Sequence, residues 1–237
     1  MNRDDPLGYH TIMRHLIAGL ALLSLALPAA AQVAVVDEGS FTISHNGTRI
    51  GREEFAIRRT PNPGGDVLVA NATVVYTDRR LSPALQTDAA GAPLRYQVEV
   101  SAGADVHERL QGRVGRGRFS AQLRTPRGES AREYVVADGA LILDDDVFHQ
   151  YYFVARAGRT GAVPVVVPRR NVQVTMRVDN EGADVVAISG DRVPATRYVM
   201  TEPDGAARRI WVDTQGRVLK VTLESRGITA TRDDPPR

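Results

Sequence analysis

Apolar and polar residues alternate at every second position through much of this chain, in short stretches that glycine, proline, asparagine and aspartate interrupt. A period of two puts the apolar side chains of a stretch on one face, which is the pattern of a half-buried strand and not of a helix. Phe41, Ile43 and His45 alternate with polar neighbours up to Asn46-Gly47, and Arg49, Gly51 and Phe55 follow. Asn-Gly suits the two positive φ angles of a tight hairpin turn, so this stretch predicts two paired strands. Residues 61–65 form a turn, and 66–76, rich in valine and threonine, predicts a long strand. Residues 95–101 and 105–111 flank a turn at 102–104, and 116–123 and 133–136 flank another at 126–128. Further strands are expected at 172–178, 185–189, 196–200, 208–212 and 218–223, with turns at Pro203-Asp204-Gly205 and at 213–216. The spacing predicts a mainly β fold, a curved antiparallel sheet or open β-barrel.

One segment breaks the period. Val147, Phe148, Tyr151, Tyr152 and Ala155 fall at helical spacing within 144–157. This predicts one short amphipathic helix, with Asp144 or Asp145 capping its first turn and Gly158 ending its last.

An address label precedes the strands. Residues 16–27 are an apolar run with Arg14 just before it and Pro28, Ala29, Ala30 and Ala31 after it. About a dozen apolar residues are too few to span a bilayer, and the small residues suit a signal peptidase. The expected division is therefore a signal peptide at 1–31, with Met13 as an alternative start, and a single β-rich exported domain at 32–237. Without any cysteine there is no disulfide, no thiolate metal site, no cysteine nucleophile and no lipidated anchor. A periplasmic or secreted protein with no transmembrane segment in its mature chain is expected, and the lack of aromatic girdles argues against an outer-membrane barrel.

Charge narrows the partners. The 30 Lys+Arg and 28 Asp+Glu residues are interspersed, so no basic stripe is laid out for nucleic acid. Lys220 is the only lysine, and arginine recurs in doublets at Arg58-Arg59, Arg79-Arg80, Arg169-Arg170 and Arg208-Arg209. Beside strand ends, such doublets read as solvated surface.

Candidate chemistry is sparse. His45, His107 and His149 lie far apart, and His107-Glu108 sits on a predicted strand whose neighbours point to opposite faces. Asp144, Asp145 and Asp146 lack the alternating ligands and distal glutamate of a calcium loop and fit a helix N-terminus better. No serine stands in a nucleophile motif. Gly112, Gly115 and Gly117, interleaved with Arg113, Arg116 and Arg118, precede a strand and not a helix, so they read as a turn and not a phosphate loop. No catalytic residue, metal or cofactor is expected; a hydrolase would need groups such as His107, Glu108 and Asp213 to converge.

What remains is apolar surface. Trp211 is the lone tryptophan, and the aromatic helix is suited to cover the open side of a curved sheet. Phe148, Tyr152, Tyr198 and Trp211 are the expected lining of a cavity for a lipid or other apolar ligand, or a lipoprotein carrying one. The alternative is plain packing of a helix on a sheet, giving a structural or assembly module with a filled core and no small-molecule ligand.

The export signal, the opening strands with Asn46-Gly47 and Ile50-Gly51, the midchain aromatic helix, and the closing pair Ile210-Trp211-Val212-Asp213 and Gly216-Arg217-Val218-Leu219-Lys220-Val221 form a recognisable set. Together they resemble exported bacterial proteins of unknown function, including the family catalogued under number 3108. In outline the chain is also similar to Lol-type envelope lipoprotein carriers. That second resemblance implies an open barrel with a helical lid holding acyl chains. Neither resemblance supplies a catalytic residue.

Overall fold

The period of two becomes fifteen strands of one sheet in a computed structural model that describes residues 33–156, 158 and 160–237. The expected signal peptide and the alternative start at Met13 lie outside these residues. β1 (Ala34–His45) and β2 (Thr48–Thr60) are the predicted hairpin, with Asn46 and Gly47 at φ of 48° and 82°. They are followed by β3 (Val67–Tyr76), β4 (Arg80–Asp88), β5 (Pro93–Ala102), β6 (Asp105–Gly115), β7 (Arg118–Thr125) and β8 (Gly128–Val135). A short β9 (Leu141–Ile142) leads into a 3-10 turn (His149–Tyr151) and α1 (Tyr152–Arg156). The chain then returns to strands with β10 (Gly161–Val167), β11 (Val172–Ile188), β12 (Asp191–Thr201), β13 (Ala207–Val212), β14 (Val218–Leu223) and β15 (Ile228–Arg232).

The spatial order is β8-β7-β6-β5-β4-β3-β2-β1-β15-β14-β13-β12-β11-β10-β9. Every pair is antiparallel except β9 on β10, so the sheet is a meander whose first and last strands meet in its middle. Its two edges, β8 and β9, are consecutive in sequence. The sheet does not close through backbone ladders. Side chains instead join the β8 edge to the β10–β11 hairpin: the Gln173 amide accepts from the Val135 N–H (3.1 Å) and donates to the Val135 carbonyl (2.6 Å), as a neighbouring strand would. Arg132 donates to the Pro168 carbonyl (2.6 Å) and Tyr134 to the Asn171 side chain (2.9 Å).

Alternation sets the core. On β7, Phe119, Ala121 and Leu123 are buried while Arg118, Ser120 and Gln122 are exposed. The inward faces of the strands meet in one large apolar cluster, and Val186, Ile188, Ala195, Trp211 and Leu219 form a second, smaller one. Four strands, β4, the two-residue β9, β10 and β15, were not expected from the sequence. Pro83 hides β4, because a proline cannot donate to a ladder; the β3–β4 register accordingly lapses between Asn71↔Ala84 and Val74↔Leu81. Conversely, β11 is one strand where two were expected, since a bulge at Glu181, with Gly182 at φ 90°, absorbs the irregularity without ending the pairing. No helix among the described residues is long and apolar enough to cross a membrane.

Candidate functional site

From Ala140 to Ala155 every residue but Asp145 is buried, across β9, the loop after it, the 3-10 turn and α1. An amphipathic helix on a surface would leave one face wet, whereas Tyr152, Phe153, Val154 and Ala155 are all enclosed. This segment plugs the space that the curved sheet surrounds. Each large apolar side chain so buried contributes about 1.5–3 kcal/mol.

A plug of irregular backbone must have its polar groups satisfied. Glu53 on β2, with no exposed surface, accepts from the backbone N–H of Phe148 (2.7 Å) and of His149 (2.9 Å), and its carboxylate meets His149 Nδ1 at 2.5 Å. Phe55, two residues along the same face of β2, stacks on the His149 ring at 6.0 Å. Neither Asp144 nor Asp145 caps the helical turn, because the turn begins only at His149 and its start is held by this distant acid.

The three aspartates are instead the anchor points of the plug. Asp144 accepts from the Tyr96 hydroxyl (2.7 Å) and from Arg169 Nε (2.9 Å), while its backbone N–H donates to the Gln150 side chain (2.7 Å). Asp146, at φ 65°, accepts from Arg79 (3.1 Å) and Arg226 (2.6 Å). Burial pushes the Asp144 carboxyl above its ordinary range, against the pull of Arg169. Burial acts on Asp146 in the same sense, but Arg226, Arg169 and Arg79 outweigh it and hold that carboxyl below its ordinary range. Arg208 donates to the Tyr151 hydroxyl (3.0 Å) and pairs with Glu202.

These contacts correct the expectation that the arginine doublets are solvated surface. Arg79, Arg169 and Arg208 each bring a doublet onto the plug, and Arg170, in the same turn as Arg169, lies 3.8 Å from Asp145. The signal was present in the sequence as three consecutive acids with no local bases, which need cations from elsewhere if they are buried.

Of the four residues expected to line a ligand cavity, three share one cluster and Trp211 stands apart. Phe148 and Tyr152 are 1% and 3% exposed inside the large cluster, and Tyr198 packs half-buried against it. Trp211 belongs to the second cluster, donating to Asp184 (2.8 Å) with the Lys220 ammonium 4.9 Å over its ring. A groove of about 800 Å³ and pockets of about 370 and 240 Å³ are lined by other residues. Of the groups a hydrolase would need, Asp213 accepts from Arg217 (2.7 Å) within its own turn, and His107 is exposed. Among the described residues no three metal-ligating side chains converge. Glu53 and His149 have the geometry of an acid–base pair, but sealed from solvent they position backbone.

The comparisons with known proteins agree with this outline. A family model described as a domain of unknown function, DUF6134, matches residues 130–232, which hold the plug and β9–β15. That match is to DUF6134 and not to the family numbered 3108. A β-barrel-like protein of domain of unknown function DUF1849 from Brucella abortus is similar over 86% of this chain and 96% of its own, with a TM-score of 0.55 at 10% identity. At that identity it shows the fold alone. A DUF1089 family protein from Pseudomonas aeruginosa covers 91% of this chain and 95% of its own at 14% identity, with a TM-score of 0.37. No curated protein matches the sequence. The chain is thus a β-barrel-like protein with a region similar to a family of unknown function.

Proposed function

We propose that this chain is an exported, non-enzymatic module of the cell envelope that serves a structural or assembly role, with its barrel interior filled by its own residues 140–156. The observation that carries this reading is the plug: Phe148, Tyr151, Tyr152 and Phe153 occupy the interior that an acyl chain would need. Six side chains from separate elements, those of Glu53, Tyr96, Arg79, Arg169, Arg208 and Arg226, hold it there. For a lipid to lie among Phe148, Tyr152 and Tyr198, these contacts would have to break together. Export is supported by the apolar run at 16–27 and the alanines after it. The non-enzymatic reading is supported by the enclosure of Glu53 and His149 and by the dispersal of the remaining polar groups.

The test is native mass spectrometry, with solvent extraction, of protein purified from the periplasm of an exporting host without detergent. The bare mass of a chain starting at Gln32 is the expected result. A stoichiometric lipid would overturn the filled-core reading in favour of a carrier.

A further inference from the structure

The outward face of β5–β8 carries the groove of about 800 Å³. Since Tyr96, Val98, Leu110, Ala121 and Leu123 point into the core, the residues between them face the groove, and strand register lines them up in rows. One row is Gln97↔Gln111↔Gln122, three neighbouring amides. The row beside it is Arg95↔Arg113↔Ser120↔Glu133, whose carboxylate is already taken by Arg118.

The arginines of this second row differ from the other outward-facing arginines of β5–β8. Elsewhere on this face, positive charges stand near acids: Arg109 meets Glu99 at 2.5 Å, Arg124 meets Glu129 at 2.7 Å, and Arg118 meets Glu133 at 3.0 Å. Arg95 and Arg113 are instead placed directly opposite one another, and neither has a hydrogen bond or ion pair among the described residues. Like charges in that position repel and weaken the pairing of the strands. An anion bound between them would remove the penalty and engage both guanidinium forks.

We propose that this groove binds an acidic glycan, with Arg95 and Arg113 taking carboxylates and the glutamine row taking hydroxyls. The chemistry of the lining selects among anions. An amide offers a donor and an acceptor side by side, which matches hydroxyl groups. The groove face presents no aromatic side chain, since Tyr96 is buried, so bases of a nucleic acid have nothing to stack on. The backbone of the floor is already paired in ladders, so an acidic peptide cannot add as a strand there. The site lies outside the plug, and its test is independent of the filled-core reading.

The test is isothermal titration of the exported, processed protein with oligogalacturonate. Neutral dextran oligosaccharide, polyglutamate and single-stranded DNA are run alongside, and all are repeated on Arg95→Gln/Arg113→Gln and Gln97→Ala/Gln111→Ala proteins. Oligogalacturonate is expected to bind, with affinity falling as salt is raised and dropping at least about tenfold in either double variant, and dextran is expected not to bind. The arginine variant should melt no lower than the parent, because the substitution relieves a repulsion; this separates loss of binding from loss of folding. Absence of oligogalacturonate binding at millimolar concentration, or unchanged affinity in the arginine variant, would overturn the site. Equal affinity for polyglutamate or DNA would overturn the glycan assignment.

Discussion

Glu53 shows how much one residue contributes when its surroundings leave no substitute. Its two oxygens are taken by two backbone N–H groups and an imidazole nitrogen, all of them buried. In Glu53→Gln the side chain keeps its size but turns a donor toward donors, so a loss of about 3–5 kcal/mol in urea unfolding is expected. A loss below about 1 kcal/mol would mean that the plug is held by packing alone. Asp146 adds a pH dependence. Its folded-state carboxyl titrates below the ordinary value, so its ionised form contributes stability above about pH 4 that is lost as pH falls through the lower folded value. Asp146→Asn should therefore be less stable by about 1–3 kcal/mol at pH 7, and the gap to the parent should narrow as the pH falls below the ordinary carboxylate range. Asp144 and Asp37, whose carboxyls burial raises, run the opposite way, so the comparison of parent with variant is the decisive measurement. A gap that stays constant as the carboxyl is titrated by acid would contradict the assignment.

At the scale of elements, what the sequence displays is what local chemistry controls. The Asn46-Gly47 hairpin, the strands about 102–104 and 126–128, and the pair closing at Pro203-Asp204-Gly205 are where turn chemistry and alternation place them. Gly158, at φ 53°, ends α1 as expected. What the sequence conceals depends on partners far along the chain. The helix starts late because its cap is Glu53, some ninety-five residues upstream. β4 is masked by Pro83, and the inward arginines cannot be told from their outward neighbours without knowing which face is covered. The candidate site was correspondingly less legible than the fold: Phe148 and Tyr152 were recognisable as interior aromatics, but not the acids and arginines that fix them. Gln173 is another such long-range device, since its amide completes the β8 edge at Val135. Gln173→Ala should cost about 0.5–1.5 kcal/mol and expose an edge that pairs with a second copy. Sedimentation velocity over a range of concentrations would then show a dimer absent from the parent, and a variant that stays monomeric would show that the charges of β8 already suffice to protect the edge.

The whole molecule is organised around the seam where its two ends meet. β1 pairs with β15, Thr42 opposite Thr231, and just past β15 the Asp233 carboxylate accepts from Thr42, 191 residues away, while other antiparallel partners in the sheet are neighbours in sequence. Closing so long a loop is entropically expensive and slow, so this seam depends on the halves around it already being in place. The region similar to DUF6134 contributes only one side of the seam, β15 and the strands leading to it. Two arrangements follow. If the plug, which is gripped by Glu53, Arg79 and Tyr96 from one half and by Arg169, Arg208 and Arg226 from the other, couples them, then the sheet is one cooperative unit. Native-state hydrogen exchange should then find the amides of Thr42, Ser44, Thr229 and Thr231, which cross the seam in step with the Asn46 N–H to Gly227 and Asp233 N–H to Ser40 bonds, opening only with global unfolding. The amides of Ala131 and Glu133, which point away from β7 because Val136 donates to Gly117, should exchange fastest among the strands. If instead Ser44 and Thr229 exchange at a free energy well below the global value, the seam opens by itself and the halves are separate cooperative units. Glu53→Gln distinguishes the cause: by loosening the plug it should lower protection at the seam more than at β6 and β7, whose ladders form between close neighbours in sequence.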